Sequence, residues 1–286
     1  MQWSTSECLE LFEASVWTPS SILRFSAITI GMVCSTVAMI FLLATTCFFV
    51  EWRRRPKNQI LTQFMIARFF YTLSRYLYDV LILCDMNISS QINYHLMFQL
   101  TTEAALIIWM FIFTKKMYVS FVKVFIVDKT CMLKLSIIAW VSPVIIAILF
   151  FVTSYLSLLR YCEFIFLYMI FIKWPMLISN GVLLIMVLKA IIHRIIKKSG
   201  NNLRIVIVMV TLLFTFCVQQ TIVDVHTVLY IVSVDEYDFS NFFFLATVVA
   251  VYHCAFSIFF WLFGNKKTVD LWFGGFKRKG SLSQSV

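Results

Sequence analysis

Seven stretches of the chain are each apolar for about 20 residues or more, the length an α-helix needs to cross roughly 30 Å of hydrocarbon. They run Leu23–Val50, Gln59–Leu83, Leu96–Val119, Leu135–Leu158, Phe164–Leu188, Ile205–Val232 and Phe242–Phe263. Lipid cannot satisfy exposed backbone N–H and C=O groups, so a spanning segment is either a helix or a strand of a closed barrel. These runs are continuous rather than alternating, which selects helices. The sequence therefore predicts an all-α membrane protein, a seven-transmembrane helix bundle. Residues 23–263 form the membrane domain, 1–22 an extracellular segment and 264–286 a cytoplasmic tail. Composition agrees, since 61% of the 286 residues are apolar and 13% are charged, too little polar matter to cover a soluble domain of this size. Glu7, Glu10 and Glu13 in a first segment without an apolar run do not read as a signal peptide. The loops are short, and no internal repeat or low-complexity stretch interrupts the pattern.

The net charge of +10 is not a nucleic-acid patch, because the basic residues come in short bursts between apolar blocks. If the first loop is cytoplasmic, the cytoplasmic segments hold Arg53, Arg54, Arg55 and Lys57, then Lys115, Lys116, Lys123, Lys129 and Lys134. They also hold Lys189, Arg194, Lys197, Lys198 and Arg204, and finally Lys266, Lys267, Lys277, Arg278 and Lys279. Only Arg24 and Arg160 are left outside, with Arg68, Arg75 and Lys173 inside spans. This is a positive-inside distribution with the N-terminus out and the C-terminus in. Asp235, Glu236 and Asp238 make one outer loop acidic. Asn87-Ile88-Ser89 places a glycosylation sequon in another. Cys84 and Cys162 are a candidate outer disulfide pair; spacing alone does not fix connectivity.

Ionisable groups within a bilayer are costly and call for a partner or a function. Arg75 and Glu103 each fall roughly 12 Å below the outer surface at the helical rise of about 1.5 Å per residue, and are a candidate pair. Arg68, Arg75 and Asp79 share one face of the second span. Lys173, Asp224, His226 and His253 fall in the same outer-half layer, with Gln219 and Gln220 just below. An open-topped polar layer of Arg75, Asp79, Glu103, Lys173, Asp224, His226 and His253 is where a small molecule or peptide would bind; the plainer alternative is that these groups only pair with one another. The basic stretch Arg194, Lys197 and Lys198, with Lys115 and Lys116, offers a docking face for an intracellular partner, or simply for anionic lipid. Beyond the last span, Asn265–Phe276 reads as a short amphipathic helix on the inner membrane surface.

Phosphate-binding loops, Gly-x-Ser-x-Gly elbows and Cys-x-x-Cys pairs are absent from the sequence. The last span has no lysine to hold a retinal. His226, His253 and Asp224 lack a metal-ligand spacing, so neither a metal nor a cofactor is expected, and the chain does not read as an enzyme.

The organisation of the whole chain resembles a G-protein-coupled receptor, with Trp140, Pro143 and Pro175 similar to landmarks of that superfamily. It departs from the rhodopsin family in reading Thr114-Lys115-Lys116-Met117-Tyr118 after the third span. It departs again in reading Ile258-Phe259-Phe260-Trp261-Leu262-Phe263 at the end of the seventh. Cys8, Pro19, Leu23, Arg24 and Phe25, together with Asn58-Gln59-Ile60-Leu61, Arg75 and Tyr78-Asp79, resemble the nematode serpentine chemoreceptors of the alpha and beta classes. Lys173-Trp174-Pro175 and Asn265-Lys266-Lys267-Thr268-Val269 are similar to secretin and adhesion receptors. The resemblance implies a multi-pass plasma-membrane receptor for sensory perception that activates a heterotrimeric G protein. A small-solute transporter or channel is the alternative, because intramembrane charges suit a permeation path equally well.

Overall fold

A helix satisfies its own backbone, so apolar runs of this length fold as rods whatever their side chains face. The computed structural model describes residues 19–83, 88–122, 132–156, 161–197, 201–232, 240–263 and 268–273, and among these there is no strand. The rods are α1 (Pro19–Phe48), α2 (Pro56–Leu83), α3 (Ile88–Phe121) and α4 (Met132–Tyr155). The fifth, α5, is composite: Tyr161–Tyr168, a π-helical turn Met169–Lys173, and Trp174–Lys197. Then come α6 (Asn201–Val232) and α7 (Ser240–Phe263). A single helical turn, Val50–Arg53, joins α1 to α2.

Six of these, all but α2, are long and apolar enough to cross a membrane, which makes the chain a multi-pass helical membrane protein. α2 has the length, at 28 residues, but carries Lys57, Arg68, Arg75 and Asp79 among its apolar residues. The expected span Gln59–Leu83 therefore forms a helix without sharing the composition of the other six.

α2 makes its closest packing with α3, and α1 with α7. α3 also packs on α4 and α5, α5 on α6, and α6 on α7, so that α1, α2, α3, α5, α6 and α7 close a ring with α4 outside it. α1 and α7 approach closely at Gly31, where an added Cβ would lie 2.8 Å from Val251 Cγ1. Nearby, Ser35 Oγ donates to the Val251 carbonyl at 3.0 Å. Small residues at a crossing are how helices associate where lipid removes the hydrophobic drive between them.

The side chains are arranged for an apolar solvent. Ile30, Val33 and Ile40 of α1, Ile137, Ile145 and Ile148 of α4, and Ile178 and Ile185 of α5 are exposed. Arg68, Arg75, Lys173, Asn180, Gln220 and Asp224 are buried. Hydroxyls turn back on their own helix: Thr36 donates to the Met32 carbonyl, Thr72 to Arg68, Thr153 to Leu149 and Thr221 to Cys217. That bond satisfies a hydroxyl in lipid or protein without a second helix.

Residues 268–273 form one short helical stretch against the end of the bundle that holds Arg53–Arg55. Trp272 Nε1 donates to Thr45 Oγ1 at 3.0 Å and its ring meets Phe41 and Phe49 edge-on. Trp52 Nε1 donates to Thr268 Oγ1 at 3.3 Å. This stretch lies within the expected tail helix and is tied to α1 through its tryptophan.

Candidate functional site

Lys173 is the last residue of the π-helical turn and lies two residues before Pro175. Proline offers no N–H, and its ring crowds the carbonyl four residues back, here that of Phe171. A π turn widens the helix at that place, and such turns often re-aim a side chain. Phe171 faces outward at 72% exposure, while Lys173 faces inward at 2%.

There the ammonium meets two acids. Lys173 Nζ donates to Glu103 Oε1 of α3 at 2.6 Å and also to Asp224 Oδ1 of α6. Removing each ion from water costs several kcal/mol, and only close pairing offsets that. One lysine thus joins α3, α5 and α6 through charge. Tyr168, one helical turn back on α5, is buried beside both carboxylates.

A second hydrogen-bonded chain reaches the same face of α6 from α2. Arg75 Nη1 donates to Tyr71 Oη at 3.0 Å. The Tyr71 hydroxyl exchanges hydrogen bonds with the Gln220 amide, at 3.1 Å from Nε2 and 3.3 Å to Oε1. Gln220 and Asp224 are four residues apart on one helix, so the two chains stand one turn from each other. Arg75 also lies within electrostatic reach of Asp79 and Glu103. Asp79 is half-buried, and its Oδ2 has no hydrogen-bond partner. The expected layer is therefore assembled from Arg75, Asp79, Glu103, Lys173 and Asp224. Glu103, expected opposite Arg75, gives its carboxylate to Lys173. Gln219 Nε2, on the next face of α6, donates to the Ala246 carbonyl of α7 at 3.1 Å.

His253 goes elsewhere. Its Nδ1 accepts a hydrogen bond from Arg68 Nη2. Arg68 Nη1 donates to Ser257 Oγ at 3.1 Å, and the guanidinium carbon lies 4.8 Å from the centroid of the Phe216 ring. His253 belongs to this second centre between α2, α6 and α7. The sequence put it in the layer by depth alone, which does not say which neighbour a side chain meets.

Tyr71 is not among the residues that the sequence marks for the layer, yet it is the hub between Arg75 and Gln220. Its position was the available signal: four residues before Arg75 and three after Arg68, it lies on the polar face of α2. Nothing in the sequence other than Pro175 announces the π turn.

The side chain of His226 lies outside the described residues, as do Cys84, the Cys162 side chain and Asn87, and with them the expected disulfide and glycan. At the basic end, Lys115 is exposed and Lys116 half-buried, near the end of α3. Arg194 and Lys197 fall on the last turn of α5 with side chains outside the described residues, and Lys198 lies outside them altogether. Among the described residues no three His, Cys, Asp or Glu side chains gather closely enough to hold a metal ion.

No known family model matches the chain, and no curated protein matches it either.

Proposed function

We propose that the chain is a chemosensory G-protein-coupled receptor. In this reading it spans the plasma membrane seven times, with its N-terminus outside. The ligand, a small molecule or peptide, binds in the layer built on Lys173, Glu103 and Asp224, and a heterotrimeric G protein docks on the basic opposite end. The observation that carries the reading is the ionic joint itself: one buried ammonium shared by α3 and α6. A ligand group that competes for either carboxylate favours a different relation between these helices. A ligand shifts such an equilibrium only by its differential affinity for the two arrangements.

The layer also suggests the ligand class. Arg75 and Lys173 face three carboxylates, Asp79, Glu103 and Asp224. With all of them ionised, one negative charge is left over, which favours a ligand bearing an amine or another cationic donor. The positive-inside distribution supports the orientation. The enclosure of α2 by α1, α3 and α7 supports its counting as a span despite its charges.

The test is G-protein recruitment in cells challenged with pooled amines and with pooled neutral and acidic small molecules, with solute uptake measured in the same cells. Recruitment without uptake, strongest for the amines and lost in Glu103→Gln, is the expected result. Saturable uptake without recruitment would replace the receptor by a transporter using the same residues.

A further inference from the structure

The turn between α1 and α2 gathers Arg53, Arg54, Arg55 and Lys57 against a single nearby carboxylate, Glu51. All four cations are exposed, and among the described residues no ion pair engages any of them. On a loose loop such a run would be a solvated face. Here the backbone that carries it is fixed. The Arg54 N–H closes on the Val50 carbonyl at 2.9 Å. The Arg55 carbonyl accepts from the Asn58 and Gln59 N–H groups at 3.0 and 3.2 Å, so α2 begins directly on the turn. The buried Asn58 amide donates to the Trp52 carbonyl at 2.9 Å. Trp52 is itself buried and bonded through its indole to Thr268. The turn is therefore held by α2 on one side and by the 268–273 stretch on the other. Long side chains on a fixed backbone lose less freedom when they bind.

The surface beside these cations is apolar. Phe48 is 74% exposed and Phe273 is 59% exposed. Behind them Phe41 meets Phe263 and Trp272 edge-on, and Trp272 meets Phe49 in the same way. Exposed aromatic carbon at Phe48 thus gives way to exposed guanidinium within about two helical turns. That is the order in which a phospholipid presents its acyl chains and its phosphate. A soluble acidic protein would match the charges and leave the aromatic carbon uncovered.

We propose that this corner binds a membrane phospholipid whose headgroup carries more than one phosphate, an inositol phospholipid by class. Arg53, Arg54 and Arg55 hold the phosphates, and Phe48 and Phe273 lie against the acyl chains. Guanidinium forks match phosphate oxygens in pairs. A headgroup with several phosphates engages neighbouring guanidiniums at once, which a singly charged headgroup does not. The site belongs to α1, the turn and the 268–273 stretch, and not to the basic ends of α3 and α5 that a G protein would use. It holds whether the chain is a receptor or a transporter.

The test uses the purified full chain in phosphatidylcholine nanodiscs, titrated with a fluorescent short-chain phosphatidylinositol bisphosphate. Binding is read by energy transfer from tryptophan, with empty nanodiscs as the blank. Short-chain phosphatidylserine and free inositol trisphosphate serve as competitors. Nanodiscs present both membrane faces, so the result does not depend on orientation. Saturable binding of the bisphosphate lipid is expected, displaced by neither competitor at equal concentration. Arg53→Gln, Arg54→Gln and Arg55→Gln combined weaken it about a hundredfold. Arg54→Gln alone, a milder change in case the triple variant does not fold, weakens it about fivefold. Lys134→Gln with Lys189→Gln removes exposed cations of α4 and α5 at the same end, and this variant keeps the wild-type affinity. Absence of saturable binding to the wild-type chain would overturn the assignment, as would wild-type affinity in the folded arginine variants. A loss as large in the lysine variant would reduce the site to diffuse attraction and overturn it too. Displacement by phosphatidylserine would remove the need for several phosphates, and displacement by inositol trisphosphate would make the ligand a soluble phosphate instead of a lipid; either result contradicts the proposal.

Discussion

α2 is the least apolar of the long helices and is almost completely enclosed, whereas α4 is among the most apolar and the least buried of the six membrane-type helices. Between residues 56 and 81 of α2 only Pro56, Lys57, Phe70 and Leu77 are exposed. Phe70 and Leu77, two turns apart on one face, are both apolar. α4 inverts the pattern: its inward stripe is Ala139, Pro143, Ala147 and Phe150, and the rest of its surface is mostly large aliphatic side chains. The difference teaches that hydropathy in this protein records what a helix faces rather than whether it crosses. A helix surrounded by others can be polar on every side but one, and a helix on the rim can be polar on almost none. Among the described residues a hydrogen bond joins the two, from Trp140 Nε1 of α4 to Gln63 Oε1 of α2 at 3.0 Å.

Three substitutions probe that contrast. The largest effect is expected inside. Lys173→Met leaves Glu103 and Asp224 buried together without their cation, a change of the kind that costs about 3–5 kcal/mol. The yield of monodisperse protein should collapse, and adding Glu103→Gln and Asp224→Asn to the same chain should recover much of it. A Lys173→Met protein as stable as wild type would mean that the interior is wet and the charges solvated. Next comes the rim. Ile148 is exposed on α4, so Ile148→Lys puts a charge where the account places lipid, at a cost of up to about 2.5–3.5 kcal/mol for a central position. Ile148→Leu should stay within about 0.5 kcal/mol. Normal membrane insertion of the lysine variant would place that face against water or protein instead. The smallest effect belongs to the seam. Gln63→Leu strands the Trp140 N–H and should lower stability by about 0.6 kcal/mol and at most about 1.7 kcal/mol. A larger loss in thermal unfolding would show that α4 is held mainly by this bond rather than by its packing on α3.

Much of this was legible in the sequence, and the limits are physical. Continuous apolar runs specify helices without any knowledge of tertiary contacts, so the rods were found, with some ends coinciding and others displaced, most at the start of α3 and the end of α5. α3, for example, starts at Ile88 rather than Leu96. The intramembrane charges pointed to the polar layer because each must find a partner somewhere. The identity of the partner depends on helix rotation and crossing, which spacing does not encode. Glu103 therefore meets Lys173 rather than standing against Arg75 alone, and His253 meets Arg68. The π turn matters here because its extra residue rotates the segment before it relative to the segment after, a shift that regular helical spacing does not anticipate. That Arg68 bonds to Ser257 and His253, with no carboxylate beside it among the described residues, could be read only after the other partners were assigned.

The most direct measurement of the account is the sidedness of the two chain ends. Epitope tags at the N- and C-termini of the full chain are probed with antibody in intact and in permeabilised cells. If α2 crosses the membrane as the enclosed helix among seven, the N-terminal tag is reached in intact cells and the C-terminal tag only after permeabilisation. Both tags on the same side would mean that α2 does not cross, and the polar layer would then have to be rebuilt around six spans.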